Sequence, residues 1–205
     1  PGQRAPVHRQ HRIDADLENC RSAWRWAVAQ RESDRIAACA IALMRYFEVR
    51  GRTLEGLELL SDAHAALCSA PDVPPLCAAH LCAAIAQLHV RLHRFDEAAE
   101  WARRGITHAR AASAPARIAL ALCLSVLGLC RHADGEYPQA KRFFEQAIRH
   151  ARAAADLRTA TAVQGNLAMV LAALGEYDAS RRLMLELLAR RREWGDWIQV
   201  ASLLN

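Results

Sequence analysis

Gly-Glu-Tyr occurs twice in this chain, at Gly135–Tyr137 and Gly175–Tyr177, 40 residues apart. Each copy is followed by a small residue three positions after its Tyr and then by an apolar stripe. Stepping back from Gly135 by 42 residues reaches His93 in "RLHRFDEAAEWA", and another 42 reaches Gly51 in "VRGRTLEGLELL". Turns near Gly51, His93, Gly135 and Gly175 therefore each sit between two stretches of helical length with apolar periodicity, and the repeating unit is helix, tight turn, helix. A unit of that size cannot bury an apolar face alone, so the units must stack and share a continuous core.

Three columns of residues fit this register. Five positions after each turn residue stand Gly56, Ala98, Ala140 and Ser180, all small, as required where two antiparallel helices approach closely. Two positions after it stand Thr53, Phe95, Tyr137 and Tyr177, three of them aromatic rings suited to wedging between units. Eight positions before it the set is aliphatic: Leu43, Ile85, Leu127 and Leu167. The pattern predicts an all-α protein of about ten helices, near 13–31, 34–49, 52–68, 75–92, 95–112, 115–133, 137–154, 157–174, 177–194 and 196–204. Residues 13–205 form the repeat domain, with a truncated fifth unit from about 196. Residues 1–12, "PGQRAPVHRQHR", lack an apolar period and read as a flexible linker or tail. "SAPDVPPLC" at 69–77 is a break between units, with proline opening the next helix where its missing N–H costs nothing.

The third unit, through Leu127-Gly128, Gly135, Tyr137, Ala140, Phe144 and Ala147, resembles the tetratricopeptide repeat. Leu124 stands where that pattern has Trp, Arg131 where it has the first Tyr, and no Pro closes the unit. The period exceeds the family's usual length by about eight residues, which adds about one turn to each helix. The resemblance implies a right-handed α-α superhelix in which the first helix of each pair lines a concave groove. It implies a non-catalytic scaffold that binds a protein or peptide. A second resemblance lies between Asp14 and Ala63. Asn19, Trp26-Ala27, Arg50-Gly51 and Glu55-Gly56 are similar to landmarks at the start of the repeat region in bacterial STAND-class signal-transduction ATPases, although Cys20 stands where that pattern has Leu. Such a region serves as the sensor or partner-binding arm of a regulator, often a transcriptional one. A free-standing adaptor is the alternative, and a nucleic-acid-binding solenoid is a third.

Carried over by register, the groove positions are Ile41, Arg45 and Glu48 in the first unit and His80, Ala83, Gln87 and Arg91 in the second. The third unit contributes Leu122, Ser125, Leu129 and His132, and the fourth Ala162, Gly165, Asn166, Met169 and Ala172. Repeats that clamp a terminal carboxylate set Lys and Asn at two of these positions in adjacent units. Here Ile41 with Arg45 and Ala83 with Gln87 take those places, so that clamp is absent. What the register leaves is a polar first half, with Arg45, Gln87 and Arg91, and a second half of small and apolar residues where Leu129 and Met169 could meet an amphipathic segment. That segment belongs to a partner or to the parent protein itself. At the C-terminal edge, Trp197, Ile198, Val200, Leu203 and Leu204 predict self-association or contact with a continuing chain.

Other chemistries find little support. With 205 residues, 53% of them apolar and 24% charged, the composition is that of a folded soluble protein. The net charge of +5 comes from Arg, since Lys141 is the sole lysine, and Ala140 before it rules out a Walker-type Gly-Lys phosphate loop. Arg103, Arg104, Arg110, Arg142, Arg149, Arg152, Arg181, Arg182, Arg190, Arg191 and Arg192 fall on second helices, the outer wall, but Glu97, Glu100, Glu145 and Glu186 are interspersed. A single-sign stripe with aromatic platforms, which phosphate tracking needs, is missing. His89 and His93 stand one helical turn apart near Cys77, His80 and Cys82, yet the spacing does not complete a metal site, and no cofactor is expected. The seven cysteines read as reduced structural thiols of a cytoplasmic protein. The apolar run from Ile118 to Cys130 is too short to span a membrane. A chain beginning at Pro1 reads as a piece of a longer protein.

Overall fold

A computed structural model describes residues 16–68, 73–112 and 116–193. Among them are nine helices: α1 (Leu17–Ala29), α2 (Ser33–Val49), α3 (Thr53–Cys68), α4 (Pro75–Arg91), α5 (Phe95–Ala111), α6 (Arg117–Ala133), α7 (Tyr137–Ala153), α8 (Leu157–Ala173) and α9 (Tyr177–Glu193). The fold is an all-α helical-repeat superhelix, as the register predicts. The linker at 1–12 and the C-terminal edge from 196 lie outside the described residues.

One backbone device recurs at six turns. Arg31, Gly51, His93, Gly135, Ala155 and Gly175 all have positive φ, between 54° and 79°. At each, the next residue's N–H reaches back to the carbonyl five residues earlier: Arg52 to Phe47, Arg94 to His89, Glu136 to Arg131, Asp156 to Ala151, Glu176 to Leu171 and Glu32 to Ala27. This is the Schellman closure, which satisfies carbonyls the helix end would leave unpaired and reverses the chain within three residues. Gly-Glu-Tyr is now legible: Gly takes the left-handed position, Glu the position before the helix, and Tyr the first helical residue. Gly135 and Gly175 tolerate this geometry freely, whereas Arg31, His93 and Ala155 hold it against their own Cβ.

Successive helices pack as antiparallel neighbours, and the first helices α2, α4, α6 and α8 also pack side by side to form an inner wall. α4 is enclosed on most sides, burying Cys77 to Ala79 and Leu81 to Ala86 together with Leu88 and His89. Its richness in Ala and Cys is what lets four neighbours, α2, α3, α5 and α6, approach it. The small-residue column does the same work at each pair: Ala98 and Ala140 are fully buried, and the Ser180 hydroxyl donates to the Ala168 carbonyl at 2.7 Å. A Cβ on Gly56 would stand 2.7 Å from Phe47, one on Gly128 2.6 Å from Phe144, and one on Gly105 2.6 Å from Cys123 Sγ. The aromatic column is uneven: Phe95 and Tyr137 pack on core clusters, but Tyr177 is 70% exposed.

Candidate ligand-binding groove

The inner wall presents part of each first helix to the concave side. Ile41, Ala83, Leu122 and Ser125 are buried against neighbouring helices, so these register positions serve the core. Ser125 is 3% exposed. Arg45, Glu48, His80, Gln87, Leu129, His132 and Asn166 are half-buried, while Arg91 and Met169 are exposed.

The polar half is internally bonded. Gln87 Nε2 donates to the Leu122 carbonyl at 3.4 Å, tying α4 to α6. His80 Nδ1 lies 2.7 Å from the Ala37 carbonyl; a carbonyl only accepts, so Nδ1 carries the proton. Burial holds the His80 pKa below the ordinary histidine value despite that bond, which leaves the ring neutral near pH 7. His80 also lines a cavity of about 490 Å³ with Leu76, Arg117, Ile118, Ala153 and Ala154.

Arg45 makes the longest reach. From α2 its Nη2 donates to Asp156 Oδ2 at 2.9 Å and to Thr159 Oγ1 at 2.6 Å, joining the first unit to the start of α8 in the fourth. Thr159 completes the triangle, its hydroxyl donating to Asp156 Oδ2 at 2.8 Å and its N–H to Oδ1 at 3.0 Å, which makes Asp156 the N-cap of α8. Burial of Asp156 opposes its charge, but the bonds from Thr159 and Arg45 outweigh that and hold the carboxyl below its usual range. Beside this triangle, Glu48 Oε1 stands 4.0 Å from Arg91 Nε. Burial raises the Glu48 pKa, and the Arg91 and Arg45 charges only partly offset it. Asp156 and Thr159 are absent from the register-based groove set. Asp-x-x-Thr is readable as a helix cap, but nothing local marks its bond to a residue 111 positions away.

In the apolar half, Leu129 packs on the second core cluster, the His132 ring lies 5.6 Å from that of Tyr137, and Met169 is 46% exposed. His89 is buried, and His93 occupies the left-handed turn beside the Phe95 ring. Among the described residues no group of three or more His, Cys, Asp or Glu is placed to hold a metal ion. On the outer wall Arg104 packs over the Trp101 ring at 5.0 Å, whereas Arg191 is buried and so does not belong to that surface.

Family models described as Tetratricopeptide repeat match residues 76–153 and 161–193, together more than half of the chain. This is a tetratricopeptide-repeat domain. No curated protein sequence matches it. Among solved structures, the tetratricopeptide-repeat domain is similar to BtubC (BKLC) from P. vanneervenii, at 15% identity and TM-score 0.65, over 90% of this chain and 74% of that one. It is similar to a Rap protein complexed with Competence and Sporulation Factor, at 14% identity and TM-score 0.67, over 94% of this chain and 55% of that one. The Rap conjugation gene regulator of the plasmid pLS20, in complex with the Phr* peptide, matches at 14% identity and TM-score 0.60 over 73% of this chain and 41% of that one. At such identities the likeness is one of fold, and this chain spans only about half of the two Rap chains.

Proposed function

We propose that this tetratricopeptide-repeat domain is a non-catalytic scaffold that takes an amphipathic protein or peptide segment in its concave groove. The supporting observation is the split inner wall, with Arg45, Glu48, Gln87 and Arg91 toward one end and Leu129 and Met169 toward the other, all short of full burial. A segment with an acidic end and an apolar side matches both halves. The peptide and factor complexes solved for the two Rap proteins of similar fold lend the reading weight. Burial pushes the Cys77 and Cys82 thiols up to about 12, so these two are not thiolates at neutral pH.

The wider role is that of a sensor arm in a signal-transduction ATPase or transcriptional regulator, supported by the landmarks at Asn19, Trp26-Ala27, Arg50-Gly51 and Glu55-Gly56. A nucleotide-binding module encoded upstream in the same reading frame is the expected finding. Selection of peptides from a random display library against the immobilised domain, followed by calorimetry, tests the groove. Enriched peptides are expected to carry acidic and apolar residues and to lose about 1 kcal/mol or more on Arg91→Ala and on Met169→Glu. Unchanged affinity in both, with helicity intact, would move binding to the convex wall.

A further inference from the structure

One cation of the groove register, Arg45, is already engaged by the protein's own acid. Arg45 donates to Asp156 and Thr159 from a different unit of the superhelix, and α2 does not pack along α8, so the connection is made by side chains. Arg45 keeps 39% of its side-chain surface exposed while Asp156 keeps 13%, so the guanidinium remains reachable from the groove with its partner set behind it. Arg91, 60% exposed, has only a 4.0 Å approach to Glu48.

We propose that Asp156 is an internal competitor for the ligand's acidic group: its carboxylate holds Arg45 Nη2, and an acidic segment gains two-pronged pairing with that guanidinium only by displacing it. The recognised chemistry is a peptide carboxylate, and the inference rests on the groove being the binding surface. Asp156 and Thr159 take both N–H groups of Arg45 Nη2, the nitrogen that either two-pronged face of a guanidinium needs, so a second carboxylate can pair in that way only after they let go. Thr159 stays behind as the anchor of the displaced acid, because its N–H and hydroxyl both bond Asp156 without Arg45. The strut is thus built to release: Asp156 retains its helix-capping bonds when Arg45 leaves.

Fluorescein-labelled tetraglutamate, titrated at fixed ionic strength and read by anisotropy, is the probe. Asp156→Asn keeps a good N-cap and removes the competing charge, so its affinity is expected to rise about five-fold or more over the unmodified chain. Adding Arg45→Ala to that variant should abolish the gain. Asp156→Ser, also a competent cap, should behave as Asp156→Asn and guards against a folding defect in either. Equal affinity of the unmodified chain and both Asp156 variants overturns the competitor, as does a gain that survives Arg45→Ala. Absence of tetraglutamate binding by every variant overturns the acid-binding end of the groove as well, which separates the two failures.

Discussion

Ala155 holds the left-handed turn between α7 and α8 at φ 55°, a conformation in which a Cβ is strained, while Gly135 fills the equivalent place between α6 and α7 at φ 76°. A Cβ at Gly135 would meet nothing within 4 Å, so the difference between the two sites is purely conformational. Ala155→Gly is therefore expected to stabilise the domain by up to about 1 kcal/mol and Gly135→Ala to destabilise it by about the same amount. Urea unfolding midpoints check both, and equal small effects of one sign would contradict the argument. Gly51, Gly135 and Gly175 are legible as turns from the sequence because only glycine suits φ near 70° so well. Arg31 and Ala155 lie at predicted helix breaks, but their left-handed backbone escaped notice because their side chains carry no trace of it.

Within the helices, glycine means something else. Gly128 lies inside α6 where an added Cβ would stand 2.6 Å from the buried ring of Phe144, which has no room to retreat. Gly165 lies inside α8 with only Arg191 Nη2 near, at 3.7 Å. Helix propensity favours Ala at both by about 1 kcal/mol, and overpacking costs about 1–3 kcal/mol at the first alone. Gly165→Ala should raise the urea midpoint and Gly128→Ala should lower it. A rise in both would show that Phe144 can move aside. The distinction is invisible to periodicity, which registers both glycines as interruptions in an apolar helix; it depends on which helix lies opposite.

In a stacked superhelix each unit is stabilised by its neighbours, so protection should fall from the middle outward. α4 buries most of its surface among α2, α3, α5 and α6, whereas α1, among the described helices, packs mainly on α2 and α3 and buries Leu17, Trp24 and Ala27. Hydrogen exchange read by mass spectrometry is expected to leave amides of α4 to α6 protected longest and those of α1 exchanged first. Uniform protection across the described helices would mean that the stack opens as one unit. The molecule's architecture was readable in the chain itself: a 40–42 residue period, small residues at Gly56, Ala98, Ala140 and Ser180, and aliphatic residues eight before each turn are local demands that any stacked helix pair must meet. The division of the inner wall into Ser125 and Leu122, which are buried, and Arg91 and Met169, which are not, was decided by packing between helices. So was the bond from Arg45 to Asp156, since superhelical curvature, summed over several units, sets which side chains of the first and fourth units come within reach. A repeat pattern states what each unit needs from its neighbours and carries no term for that sum.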